Sequence, residues 1–220
     1  MEDSSAGIFI AVEGVDGAGK TTLVDRLCTA LSAAGETVVR TKEPTDGQYG
    51  AKIRESATTG RMDLESELQA FIDDRHEHVA EVIAPALERG EVVIVDRYFY
   101  STIAYQGERG ADVDQLTRDM RSQFPIPDVV LLLDADPSMT LLRVSESRGD
   151  TPNEFERQGA LEKIREIFLA LRPECPEIRV IDAASEADEV YRDAAHVLLD
   201  TAIKNKRSTK AYSDAMFVGF

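Results

Sequence analysis

Tryptophan is absent from the 220 residues and aromatic residues make up only 6% of them, so the interior has to be built mainly from aliphatic side chains. Cysteine occurs twice, at Cys28 and Cys175, far apart and without a C-x-x-C partner. That usage argues against a disulfide framework, a thiolate-ligated metal or a redox pair. No apolar run approaches the roughly 18 residues of a membrane-spanning helix, and the opening Met-Glu-Asp-Ser-Ser lacks the basic-then-apolar signature of a secretory leader. Reduced thiols in a cytoplasmic protein with no membrane partner are the expectation. Basic residues are scarce as well: 25 Lys and Arg, only 7 of them Lys, face 41 Asp and Glu, for a net charge of −16. A field of that sign repels polynucleotides, so no nucleic-acid partner is expected. It fits either an ordinary acidic protein or one adapted to concentrated salt, where screening over a few ångströms removes the self-repulsion.

What the chain does have is concentrated near its start. Gly14-Val15-Asp16-Gly17-Ala18-Gly19-Lys20-Thr21 matches the phosphate-binding pattern G-x-x-x-x-G-K-[ST] in full. An apolar run, Ile8 to Val12, precedes it, and a helical pattern with Leu23, Leu27, Ala30 and Leu31 on one face follows. This strand–loop–helix context is what the motif requires: glycines free backbone N–H groups to point at a polyphosphate, and the helix N-terminus adds to their field. Residues Gly14 to Thr22 are therefore the expected ATP-binding segment. Lys20 is expected to reach the β- and γ-phosphates and the Thr21 hydroxyl to hold Mg²⁺.

Farther along, strand and helix patterns alternate, which predicts an α/β fold with a parallel sheet and helices on both faces. Strands are expected at Ile8–Val12, about 37–41, 92–95, 129–133 and 178–181. Helices are expected over about 20–34, 63–89, 138–147, 155–171 and 187–203, with Pro85 bending or dividing the second. One domain, 1–203, is expected, with a polar segment at 148–157 reading as a lid and a tail, 204–220, reading as a frayed terminus. Ligands of parallel sheets gather at the carboxyl ends of the strands. Asp16, Glu43, Asp96, Arg97, Asp134 and Asp136 fall just past predicted strand ends and are expected to share one crevice with the loop.

Asp96 ends the most apolar strand, a usual place for a second Mg²⁺ support, and Arg97 beside it can clamp phosphate bidentately. Phe71 and Arg75 lie one turn apart on one helix face, where a ring and a guanidinium can stack on a base and bond its edge. Spacing alone leaves them equally readable as a core ring and a solvated charge. Ser101, Thr102, Tyr105 and Gln106 offer hydroxyl and amide groups for an acceptor, or form an ordinary polar helix start capped by Ser101.

Taken together, Phe9 to Thr22, Glu43-Pro44, Phe71-x-x-x-Arg75, Asp96-Arg97-Tyr98, Ser101-Thr102 with Ala104-Tyr105-Gln106-Gly107, Pro127-Asp128 and Leu131-Leu132-Leu133-Asp134 resemble thymidylate kinase over about residues 7–203. The resemblance implies a P-loop kinase three-layer sandwich with a five-stranded parallel sheet, assembled as a homodimer. It implies Mg²⁺-dependent transfer of the ATP γ-phosphoryl group to dTMP; a deoxynucleoside or dUMP kinase is the alternative, and a P-loop ATPase switch a more distant one. It also assigns dTMP-site roles: Asp16 to the sugar 3′-hydroxyl, Phe71 stacked on thymine and Arg75 on its O4. Arg97 and Arg54 would take the monophosphate, Thr102 the base edge, Tyr105 the space of a 2′-hydroxyl, and Gln106 the sugar or phosphate side. Because the variable loop position is Gly17, the chain resembles members whose catalytic Arg sits in the lid. Arg148 is the first candidate, with Arg143 and Arg157 as alternatives, beside Lys20 and Arg97.

Overall fold

The computed structural model describes residues 6–148, 154–207 and 209–217. Five strands, Ile8–Gly14 (β1), Val38–Lys42 (β2), Val92–Asp96 (β3), Val129–Asp134 (β4) and Ile178–Asp182 (β5), form one sheet in the order β2-β3-β1-β4-β5. Every pairing is parallel. The three central strands are near-continuous aliphatic runs because both of their faces are covered: all seven residues of β1 are buried, as are four of five in β3 and five of six in β4. Removing the bulk of one such residue, for instance Ile94→Ala, costs about 2–5 kcal/mol.

Helix α1 (Lys20–Ala33) starts at Gly19, whose φ of 95° is open to glycine and disfavoured for other residues. It buries Leu23, Val24, Leu27 and Leu31. It stops at Gly35, also at φ 95°, where Glu36 N–H bonds Leu31 O and Gly35 N–H bonds Ser32 O. The expected long helix over 63–89 is three pieces. Asp63 caps α3 (Leu64–His78), a π-helical turn follows at Val79–Ile83, and α4 (Ala84–Glu88) holds Pro85 in its first turn. Proline lacks the N–H that would continue the ladder, and the wider turn just before it absorbs the mismatch.

Two helices escaped the periodicity reading. Gln48–Thr59 (α2) buries only Gly50, Ile53 and Ser56, too little apolar surface to make a stripe. Val113–Gln123 (α6) is mostly polar and buries Leu116, Thr117 and Met120. Between them in sequence, α5 (Phe99–Glu108) begins from Tyr98, not from a Ser101 cap. Helices α7 (Pro137–Arg148), α8 (Glu154–Ala170) and α9 (Ala187–Leu198) complete the alternation. Helices α3, α6 and α8 pack on α5 and form one cover of the sheet, while α9 packs with α1 on the other.

Among its described residues the tail is helical, where a frayed terminus was expected. After a π-helical turn at Leu199–Ile203, a short turn Lys204–Lys206 (α10) leads to α11 (Thr209–Phe217), which lies on α1 and buries Tyr212 and Met216. Arg207 donates to Ala6 O, Gly90 O and Glu36, and Lys206 to Gly7 O and Asp128, so these two basic residues tie the tail to the amino ends of β1 and β3. Among the described residues no helix is long and apolar enough to cross a membrane.

Candidate active site

Register aligns the site. Val12 and Lys42 both sit opposite Asp96, so Glu13, Glu43 and Arg97 follow at the same carboxyl edge as the phosphate loop. Gly14 holds a φ of 141°, and a Cβ there would lie 2.6 Å from Leu133 O, so the loop leaves β1 by a path that only glycine fits. Lys20 Nζ donates to Gly14 O at 3.0 Å and Val15 O at 2.9 Å. Burial, with Arg97 as the next cause, presses the Lys20 amine down to about 7, in spite of the opposing pull of Asp16, Asp96 and Glu13. Thr21 Oγ1 donates to Asp96 Oδ2 at 2.8 Å, which brings a hydroxyl and a carboxylate oxygen together beside the loop. Two hard oxygen donors that leave room for phosphate and water oxygens are what Mg²⁺ takes from a protein in such sites. These residues fit the ion that the phosphate loop implies.

Arg97 is the hub. It is the one described non-glycine residue with positive φ, 69°, a conformation that costs roughly 1–2 kcal/mol. Its backbone N–H bonds Val12 O at 3.0 Å. Its guanidinium donates to Asp16 Oδ1 at 2.7 Å, Ser101 Oγ at 3.0 Å, Gly14 O at 3.3 Å and Tyr105 Oη at 3.3 Å. Burial works against the Asp16 carboxylate, but the Arg97 and Lys20 charges outweigh it and hold its pKa below the usual range. Underneath, Glu13 is fully buried and accepts from Tyr98 N–H, Ser101 N–H and Ser101 Oγ. Burial raises its carboxyl to about 7, against the lowering pull of the Ser101 bond and the Arg97 charge.

A cavity of about 180 Å³ opens between α3 and α5 beside this hub. Phe71, Arg75, Arg97, Thr102, Tyr105, Gln106 and Asp16 all line it, so the structure brings these expected acceptor-site residues together. Arg75 is 1% exposed at the inner end. Its Nε and NH2 donate to Glu43 Oε2 at 2.9 and 2.7 Å, NH2 also to Thr102 Oγ1 at 2.9 Å, while NH1 meets Met120 Sδ at 3.6 Å. The rings of Tyr98 and Phe124 flank the guanidinium, each 5.3 Å from its carbon.

Three expectations change. Arg54 does not line the cavity: it donates to Pro44 O at 3.1 Å and Thr45 O at 2.6 Å and braces the loop after β2. Gln106 lines the cavity, but its amide nitrogen donates to Glu67 Oε2 at 2.9 Å and its oxygen accepts from Arg109. Its polar ends thus face the Glu67 cluster, not the Asp16–Arg97 side. Asp134 and Asp136 are spent elsewhere, the first in a two-point ion pair with Arg165 and the second capping the start of α7 through Ser138. Among the lid candidates, the Arg148 and Arg157 side chains and residues 149–153 lie outside those described. Arg143 donates to Ala183 O at 3.1 Å.

Arg143 also borders a second cavity, about 320 Å³, on the other side of the phosphate loop, walled by Gly17, Thr22, Arg26 and residues 183–187. The sequence reading passed over Arg26 and residues 183–187 of that wall, as it did Glu13, Glu67, Arg61 and any role for His78 beside Glu43. Two of these carried a signal: Glu13 is a lone charge inside an aliphatic strand, and Glu67 lies one turn before Phe71 on the same helix face.

A parallel sheet with a glycine-rich phosphate loop at its carboxyl edge, one cavity on either side of that loop and a clustered Lys20, Arg97 and Asp96 defines a P-loop nucleotide-binding enzyme. The thymidylate kinase family model matches residues 12–194. The chain is 50% identical to a thymidylate kinase of Xanthomonas euvesicatoria pv. vesicatoria (strain 85-10), over 97% of this chain and 92% of the relative. It is 46% identical to one of Xylella fastidiosa (strain M12), over 88% of each. The crystal structure of thymidylate kinase from Ehrlichia chaffeensis superposes with a TM-score of 0.67 at 30% identity, covering 88% of this chain and 99% of that one. The chain belongs to the thymidylate kinase family.

Proposed function

We propose that this enzyme transfers the γ-phosphoryl group of ATP to dTMP, giving dTDP and ADP. The observation that carries the reading is the position of Asp16 and Arg97. Both line the α3–α5 cavity, and both also border the space around Lys20, Thr21 and Asp96. A nucleotide in that cavity would present its phosphate where the loop presents another. The acceptor phosphate is already an anionic nucleophile, so positioning and charge neutralisation are the main tasks of the protein.

In this reading Lys20 and the loop N–H groups of residues 14–22 hold the ATP phosphates, and the cavity beyond Gly17, with Arg143 and Arg26 at its rim, takes the rest of ATP. Thr21 and Asp96 would hold Mg²⁺, which when bound offsets the phosphate charge. Arg97 holds the acceptor phosphate and Asp16 the sugar 3′-hydroxyl. Phe71 stacks on the base, Arg75 NH1 reads its O4, Thr102 supports the base edge, and Tyr105 leaves no space for a 2′-hydroxyl. Arg148 of the lid completes the charge around the transferring group. Homodimeric assembly and a cytoplasmic location belong to the same reading. Assay of the purified enzyme with ATP against a panel of nucleosides and nucleoside monophosphates tests it. The highest kcat/KM is expected on dTMP, and fastest turnover of an unphosphorylated nucleoside would overturn it.

A further inference from the structure

The guanidinium of Arg75 is held by Glu43, which borders the cavity, and behind Glu43 by His78 and Thr41, which do not line it. Glu43 spends Oε2 on Arg75 Nε and NH2. Its other oxygen, Oε1, lies 2.9 Å from His78 Nδ1, and His78 Nε2 lies 2.7 Å from Thr41 Oγ1. Arg75, Glu43 and His78 are 1%, 6% and 3% exposed, so no water replaces these bonds cheaply. A carboxylate has no proton to give, so Nδ1 must be the donor, which fixes the ring orientation. Of the five guanidinium N–H groups, Nε–H and those of NH2 are consumed by Glu43 and Thr102. Only NH1, beside the soft Met120 sulfur, keeps donors for a ligand.

We propose that His78 is a positioning residue for base discrimination: by holding Glu43 Oε1 it locks the carboxylate, which in turn aims Arg75 NH1 at the base. This rests on Arg75 reading O4 of the acceptor. Donors aimed at one point favour a carbonyl there and disfavour an amino group, because two donors then meet and a buried polar pair is left unmatched. The ring lies between β2 and the Arg75–Glu43 pair, so its loss changes the stiffness of the reader and not the shape of the cavity.

Two polar variants separate this role from simple packing. His78→Asn keeps an N–H near the Nδ1 position and loses Thr41, whereas His78→Gln places its amide near Nε2, keeping Thr41 and losing Glu43. His78→Gln is expected to raise the dTMP KM about tenfold and to shrink the dTMP-over-dCMP preference in kcat/KM by a similar factor. Its ATP KM and its kcat at saturating dTMP should stay within about twofold of the parent, and His78→Asn should behave like the parent. Equal behaviour of the two variants, or unchanged dTMP KM and base preference in His78→Gln, would overturn the proposal. Arg75→Ala run alongside keeps the two layers apart. If it leaves dTMP KM and base preference unchanged, the base-reading assignment itself fails. If it abolishes discrimination while His78→Gln does not, only the role of His78 falls.

Discussion

Ser101 Oγ donates to Glu13 Oε2 across 2.6 Å and accepts from Arg97 NH1 at 3.0 Å, so one hydroxyl couples a buried carboxyl in the central strand to the phosphate-facing guanidinium. With two backbone N–H groups also aimed at it, Glu13 is the post on which the strained turn at Arg97 is hung. The positive φ of Arg97 needs such a post, since nothing in an arginine side chain favours it.

The same carboxyl gives the fold a pH dependence of known sign. Its folded pKa is about 7 against an ordinary 4.5, so the folded state holds the extra proton. This group's contribution is fully favourable below pH 4.5 and declines as pH rises to 7, by about 3 kcal/mol if the whole shift is expressed. Urea denaturation from pH 4.5 to 8 should show Glu13→Gln losing that slope relative to the parent, with a lower kcat because Ser101 loses its acceptor. Parallel stability–pH curves for the two proteins would contradict this.

Lys20 carries the second pH effect. Its amine, near 7 and hydrogen-bonded to the Gly14 and Val15 carbonyls, is expected to rise when phosphates come against it. Binding of ATP should therefore take up close to one proton at pH 8 and almost none at pH 6, so affinity weakens as pH rises. Calorimetry in buffers of different ionisation enthalpy reads the proton directly. Lys20→Ala should remove the uptake, abolish turnover and leave the melting temperature within a few degrees.

Tyr105 stands over Arg97, 5.2 Å from ring centre to guanidinium carbon, with its hydroxyl shared between Arg97 and Asp16. If its ring fills the place of a 2′-hydroxyl, Tyr105→Ala should cut the preference for dTMP over its ribonucleotide by at least tenfold in kcat/KM. Tyr105→Phe should keep that preference and mainly raise the dTMP KM, since only the hydroxyl is lost. The ratio of the two acceptors in competition assays decides it.

Charge makes a prediction for the whole surface. At −16, self-repulsion weakens as the screening length falls from about 10 Å at 0.1 M to about 3 Å at 1 M salt. The melting temperature should rise with KCl over that range and activity should survive 1 M KCl. Strong inhibition at molar KCl would speak against adaptation to salt.

The sheet and its phosphate loop were legible in the sequence because each central strand is an unbroken aliphatic run and the loop motif has few other uses. Phe71 and Arg75 were visible as a pair, since one helical turn separates them. Less visible were the α2 and α6 helices, whose few buried residues leave no stripe, and the π turn before Pro85, which depends on a hydrogen-bond mismatch. Arg54 falls outside the cavity, and Gln106 lines it but turns its amide toward Glu67, because motif position gives a neighbourhood and not a direction. The Pro44 and Thr45 carbonyls take the Arg54 guanidinium, and the Glu67 cluster takes the Gln106 amide. His78 sits 35 residues from Glu43 and carries no local mark at all.

The shared register of Val12, Asp96 and Lys42 makes this architecture unequally tolerant of length change. One residue inserted within β3 would move Asp96 and Arg97 by about 3.3 Å and turn each to the opposite face of the sheet. An insertion at the opposite edge, in the turn after Gly35, lengthens a surface loop and leaves the carboxyl edge untouched. Insertions and deletions that keep activity should therefore collect at the amino edge of the sheet and in the helix–helix connections, and be missing from the last residues of β1, β2 and β3.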